Sequence, residues 1–427
     1  MSYFAEYAWV DGAVARDVRI DVAGGRFTAV TPGSAPAGTR LPGLVLPGLA
    51  NAHSHAFHRA LRGRTHGDRG SFWTWRELMY AVAGRLDPDS YFALARAIYG
   101  EMALAGITCV GEFHYLHHGP DGTPYADPNA MGHALIAAAR DAGIRITLLD
   151  TVYLTSGVDG KPLEGVQRRF GDGDYDGWAA RHNELRATAG VRIGAALHSV
   201  RAAPVPGMAT FAQRTDGLPV HVHLSEQRAE NEQCRQVHGC SPAELLDSLG
   251  VWRPLTTAVH ATHLSPPDLA ILGGQYVCLC PTTERDLADG IGPARALAGA
   301  GARLTLGSDS HAVIDLFEEA RGVELDERLA TERRGHFAAA ELVAAATVTG
   351  HASLGWDDAG SIAAGNRADL VAVALDSVRT AGVDPAGAIF AATAADVTHV
   401  LADGRLIVDG GRHTAFDVPA ALRAALA

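Results

Sequence analysis

Lysine is all but missing from this chain: of its 36 basic residues only Lys161 is one, and the rest are arginines. Cysteine is scarce too, with Cys109, Cys234, Cys240, Cys278 and Cys280 spread over 427 residues. An odd, scattered set argues against a disulfide framework and fits a reducing compartment. Cys278 and Cys280 have no second cysteine pair near them in sequence, so buried thiols are expected there rather than a thiolate metal site. No apolar run approaches the ~20 residues that span a membrane. The start, Met1 to Tyr7, lacks the basic stretch followed by an apolar one that marks a secretory signal, so a cytoplasmic protein is expected. Positive charge is in deficit: 48 acidic residues give a formal net charge of −12, which disfavours nucleic acid and anionic membranes as partners.

What is present is a globular composition, 47% hydrophobic and 20% charged, in a chain long enough for a barrel of about 250 residues plus a module. Eight β-rich runs stand out: Leu44 to Ala50, Ile107 to Tyr115, Arg145 to Tyr153, Val191 to Val200, Leu218 to Ser225, Thr256 to His263, Gln275 to Pro281 and Ala302 to Asp309. Most are separated by stretches with helical spacing, among them Asp89 to Ala105, Ala130 to Ala142, Arg228 to Leu249 and Pro293 to Ala300. Alternating strand and helix predicts an α/β fold with a parallel (β/α)₈ barrel. Residues 1–43 and 358–427 read instead as β-hairpins, with turns at Gly24-Gly25 and Asp403-Gly404. Both ends are expected to build one small β-sandwich, with residues 44–357 as the barrel between them.

Histidines and carboxylates gather where the strand runs end. His53 and His55 follow the first run two residues apart, so on an extended segment both rings point the same way. The fifth run carries His221 and His223, of which His223 lies nearer the C-terminal end, where barrels keep their chemistry; His221 is expected deeper in the barrel as a hydrogen-bonded ring. Glu226 follows three residues on, as a proton carrier or as an ordinary helix-start carboxylate. His260 and Asp309 close the sixth and eighth runs. Any one of these is ordinary, but together they mark one rim, and three neutral imidazoles with a carboxylate suit Zn²⁺. The metal set is then His53, His55, His223 and Asp309, with Glu226, His260 and Asp309 catalytic: Glu226 moves protons, Asp309 accepts one from the attacking water, and His260 hydrogen-bonds the attacking hydroxyl. Iron(II) takes the same ligands.

This pattern, with the modules at both termini, resembles the amidohydrolase superfamily over nearly the whole chain. Members with two metals bridge them with a lysine after the fourth strand; here that strand leads to His198 and the only lysine sits in a turn-like stretch, so the resemblance implies one metal. The segments Asn51 to Arg59, Ser71 to Tyr80, Gly111 to His118 and Leu197 to Arg201 further resemble the formimidoylglutamate deiminase family. That resemblance implies hydrolysis of N-formimino-L-glutamate to N-formyl-L-glutamate and ammonia in histidine degradation, by hydroxide on zinc attacking the amidine carbon. It implies that Arg76, Tyr115, His198 and Arg201 bind the substrate, a small dicarboxylate suited to guanidinium forks. His58 stands where that family usually has glutamine. Three alternatives stay open at this point: Arg76 as a packing group among Trp73 and Trp75, with residues 71–80 as a lid or as part of the core; a heterocycle aminohydrolase, with Phe72 to Trp75 stacking on the ring; and a non-catalytic barrel scaffold. His117, His118 and His311 are read as orienting groups rather than ligands, and a homodimer is the expected assembly.

Overall fold

The computed structural model describes residues 1–65 and 72–427. Eight parallel strands follow one another in chain order: β1 Leu49–Ser54, β2 Ile107–His114, β3 Arg145–Val152, β4 Val191–Leu197, β5 Val220–Leu224, β6 Thr256–His260, β7 Tyr276–Leu279 and β8 Arg303–Leu306. Every residue of β2 and β3 is buried, as expected for strands covered on both faces. The barrel closes through the chain just past β8. Asn51 accepts the Ser308 N–H at 2.9 Å and donates to its Oγ at 2.7 Å, and Asp309 N–H donates to the His53 carbonyl at 3.0 Å. Closure itself therefore sets Asp309 beside His53 and His55.

The helices start and stop on local chemistry. Asp87 caps Pro88–Leu104 by accepting the Ser90 N–H at 2.8 Å, and Pro88 needs no donor in that first turn. The single helix expected over Arg228 to Leu249 is two, Arg228–His238 and Pro242–Ser248. Gly239 ends the first in a left-handed conformation (φ 77°), and Ser241 starts the second by accepting the Glu244 N–H at 3.1 Å. Helical periodicity runs through this break because it leaves the buried face nearly in phase.

A second eight-stranded sheet joins the two ends of the chain. It is ordered Arg412–His413, Arg405–Asp409, Val397–Ala402, Leu370–Val373, Thr39–Pro47, Ser2–Val10, Ala13–Ala23 and Arg26–Thr31. Thr39–Pro47 and Leu370–Val373 pair antiparallel, Leu46 opposite Val371, and this pairing ties the N-terminal strands to the C-terminal ones. The expected sandwich is thus one continuous sheet with a core of its own, including Val18, Ile20, Phe27, Val45, Leu370 and Ala372. Alternate residues Leu44, Leu46, Val371 and Val373 join the barrel's core instead. The run Leu44 to Ala50 therefore belongs to two sheets: it pairs with the terminal strands as far as Pro47 and enters β1 at Leu49. We propose the first domain junction at Gly48, where an added Cβ would lie 2.4 Å from Thr108 Oγ1 and 2.6 Å from Asp369 Cβ. Among the described residues no helix is long and apolar enough to cross a membrane.

Candidate active site

At the C-terminal rim the Nε2 atoms of His53, His55 and His223 stand 3.1–3.3 Å apart, and Asp309 Oδ1 lies 3.4 Å from His53 and 3.3 Å from His55. All four side chains are buried. Tetrahedral donors about 2.05 Å from a zinc ion are about 3.3 Å from one another, so these separations suit a cation at the centre. The hydrogen bonds behind the donors agree with this. His55 Nδ1 faces the Phe113 carbonyl at 3.0 Å and His223 Nδ1 faces the His198 carbonyl at 2.9 Å. With their protons on Nδ1, both rings turn a bare Nε2 lone pair inward. Burial lowers the pKa of His53 and of His223, and takes that of His55 to about 3, so all three are neutral. Burial alone would protonate Asp309, but the His53 hydrogen bond and the charge of His260 outweigh it and keep the carboxylate ionised. Neutral imidazoles and one carboxylate are the protonation states a divalent metal needs.

Beside this quartet, His260 Nε2 lies 3.6 Å from Asp309 Oδ2 and 3.9 Å from Glu226 Oε1. Burial would lower the pKa of His260, yet Glu226, Glu284 and Asp309 together raise it well above the ordinary histidine value. Glu226 is pushed up by burial. The backbone is unusual where these groups leave their strands: Ser225, His260, Ala261 and Asp309 all have positive φ (51°, 68°, 52° and 41°). Such conformations cost about 1–3 kcal/mol each and gather where a side chain must be aimed.

His55, His223, Asp309, Glu226 and His260 open on a cleft that is also lined by Arg76, Tyr115, His198 and Arg201. Arg76 comes from the helix Phe72–Ala83, with Trp75 and Tyr80 on the same wall. The side chains of Phe72 and Trp73 lie outside the described residues. Arg201 donates through Nε to Glu230 at 2.9 Å, which fixes the guanidinium against the wall. Tyr115 OH and His58 Nε2 are 2.8 Å apart, so His58 is joined to the cleft through the tyrosine. His198 contributes its ring to the cleft and its carbonyl to His223.

Several placements differ from the sequence reading. His221 is deeper in the barrel, stacked 6.0 Å from His53, but neither of its ring nitrogens has a hydrogen-bond partner among the described residues. His311 braces the barrel seam through Ser54 Oγ (3.1 Å) and Ser308 Oγ (3.2 Å). His117 and His118 do not orient the site: His117 Nε2 is taken by the Thr151 carbonyl and His118 Nε2 by Asp172, both at 2.9 Å. Three buried acids escaped the sequence reading. Glu112 accepts Ser54 Oγ and the Ala56 N–H, both at 2.7 Å, and so holds the His53–His55 segment; burial raises its pKa to about 7. Glu284 Oε1 faces His260 Nδ1 at 3.4 Å. Asp289 accepts from Gln227, next to Glu226, and burial, then Glu226, raises its pKa to about 9. An acid inside a strand run was the only sequence signal, and only Glu112 had it. Lys161 is an exposed residue paired with Asp159 at 2.9 Å.

The sequence pattern of the amidohydrolase family matches residues 44–407, and the chain belongs to that family. Within it, a formimidoylglutamate deiminase of Pseudomonas aeruginosa is 38% identical over 96% of this chain and 95% of its own. A crystal structure of an amidohydrolase from Brucella melitensis matches with a TM-score of 0.92 at 34% identity, covering 100% of this chain and 98% of the other. An adenosine deaminase from Xanthomonas campestris with bound zinc matches with a TM-score of 0.85 at 26% identity, covering 99% and 96%. Family and donor set together make the protein a metal-dependent hydrolase.

Proposed function

We propose that the protein hydrolyses N-formimino-L-glutamate to N-formyl-L-glutamate and ammonia. The observation that carries this reading is a single cleft lined by His55, His223, Asp309 and Glu226 together with two guanidiniums, Arg76 and Arg201. The relative from Pseudomonas aeruginosa, a formimidoylglutamate deiminase by name, supports the same substrate.

His53, His55, His223 and Asp309 would hold one ion, read as Zn²⁺ with Fe²⁺ as the other candidate. When bound, such an ion polarises the amidine and lowers the pKa of water toward 7. The absence of any lysine near the quartet supports one ion rather than two. Glu226 takes a proton from the attacking water as the C–O bond forms at the amidine carbon, and returns it to the imino nitrogen. The second water proton passes to Asp309, while His260 donates a hydrogen bond to the new hydroxyl. Asp309 hands that proton to the terminal nitrogen as its bond to carbon breaks, so the nitrogen leaves as ammonia carrying both water protons, the formyl carbonyl forms, and both carboxylates are again ionised. Arg76 and Arg201 pair the two carboxylates, and Tyr115 and His198 orient the chain between them. We read the assembly as a cytoplasmic homodimer.

A second reading, a heterocycle aminohydrolase, is favoured by the aromatic wall of Trp75, Tyr80, Tyr153 and Phe170 and by the adenosine deaminase relative. Ammonia release separates the two. Zinc-loaded protein is expected to release ammonia from N-formimino-L-glutamate; none from this substrate, with turnover of a purine or pyrimidine, would overturn the first reading.

A further inference from the structure

At the opposite end of the barrel a second, larger cleft opens where the start of β4 meets the terminal sheet. Its walls carry Arg26, Arg140, Arg192, Arg367 and Arg405 against a single carboxylate, Asp403, in a chain whose net charge is −12. Ion pairing within the fold accounts for part of this charge. Arg26 and Arg367 share Asp358 at 2.8 and 3.0 Å, and Asp403 Oδ1 accepts from Arg367 at 2.9 Å and from Arg145 at 3.1 Å. Both carboxylates are thus already used twice. Arg140, Arg192 and Arg405 have no carboxylate partner among the described residues.

Of the cleft's guanidiniums, Arg192 and Arg367 are also held against an aromatic ring. The buried Trp356 indole has Arg192 at 4.5 Å, Arg367 at 4.9 Å and Arg145 at 5.2 Å from its ring centre. Stacking on the ring fixes where Arg192 points, at the cost of keeping like charges close together. Arg140 and Arg405 reach the same cleft from a barrel helix and from the terminal sheet. Arginine rather than lysine matters here, because planar forks meet phosphate or carboxylate oxygens two at a time.

We propose that this cleft binds a small multivalent oxyanion, bearing phosphates or several carboxylates, with Arg192, Arg140 and Arg405 as its ligands. The site is separate from the catalytic cleft: Arg192 and His198 stand at opposite ends of β4, six residues and so roughly 20 Å apart. The anion neutralises the uncompensated guanidiniums and joins barrel base to terminal sheet, so its binding raises the melting temperature.

The test is calorimetric titration of the full-length, metal-loaded enzyme at fixed ionic strength, with fructose 1,6-bisphosphate and tricarballylate as separate probes. The expected result is saturable binding of at least one probe, one per chain, weakened 10-fold or more in Arg192→Gln and Arg192→Glu, with kcat and KM unchanged in both variants. Preference for the bisphosphate assigns a phosphate-bearing ligand, and preference for tricarballylate a polycarboxylate. Should the Arg192 variants fail to fold, the exposed Arg405→Gln carries the same expectation. No saturable binding of either probe, binding indifferent to these substitutions, or simple competition with the substrate would overturn the proposal.

Discussion

His53, His55, His223 and Asp309 inside the barrel and His114, His117 and Asp150 just outside its wall are built from the same residue types, and both sets bring their donor atoms within 4.8 Å of one another. What differs is the charge already present. Outside the wall, Arg181 donates to Asp150 Oδ1 at 2.6 Å and to both oxygens of Asp172 at 2.9 Å, His182 takes the other oxygen of Asp150 at 3.2 Å, and His117 Nε2 is spent on the Thr151 carbonyl at 2.9 Å. A cation there would have to displace a guanidinium. Inside, no arginine touches Asp309 among the described residues, and the nearest positive group, His260, faces its other oxygen. Donor proximity alone does not make a metal centre; the inner quartet has it with a carboxylate that no guanidinium occupies among the described residues, and the outer cluster is a closed ion-pair network.

The comparison can be broken from either side. The largest effect is expected from Glu226→Gln, which should lower kcat by about 10²- to 10⁴-fold while the metal stays bound; lost metal would make Glu226 a structural group. Next comes Arg181→Met, which strands Asp150 and Asp172 without their cation. Breaking a buried pair costs about 3–5 kcal/mol, to be read as a lower denaturation midpoint with metal content unchanged. Arg201→Ala should cut kcat/KM by about 10- to 1000-fold, the about 1.5–4 kcal/mol of a lost charge-assisted pair, whereas a neutral-ring deaminase would hardly respond.

The smallest effect separates the clusters by pH. Burial, then the Arg181 charge, lowers the His117 pKa to about 4, while an unfolded histidine titrates near ~6.5. Between those values the unfolded chain binds more protons, so the stability this ring contributes is present above 6.5 and is lost as pH falls toward 4. His117→Gln should flatten that part of a urea-midpoint profile, and an unchanged slope would show that His117 is not the group titrating.

The gathering of His53, His55, His223, His260 and Asp309 at one rim was legible because its signal is local: a two-residue spacing on an extended segment sets His53 and His55 on one face, and the last residues of β5 and β6 lie at the same end of the barrel. The role of Arg181 was not, because its partners Asp150, Asp172 and Asn129 come from β3 and from two other segments and meet it only on folding. Glu284 and Asp289 were hidden for the same reason, lying on the segment after β7 and acquiring His260 and Gln227 only on folding. That the run Leu44 to Ala50 divides between two sheets was not legible because it is uniformly apolar, and hydrophobicity does not say which of two sheets a strand joins. The break at Gly239 was written in plain Gly and Ser-Pro signals that helical periodicity outweighed.

Metal analysis of the purified protein beside His223→Ala and His117→Ala tests the central claim most directly. The account predicts about one divalent ion per chain in the unsubstituted protein, close to none in His223→Ala, and one in His117→Ala. Two ions per chain, or loss of metal from His117→Ala with His223→Ala still loaded, would contradict it.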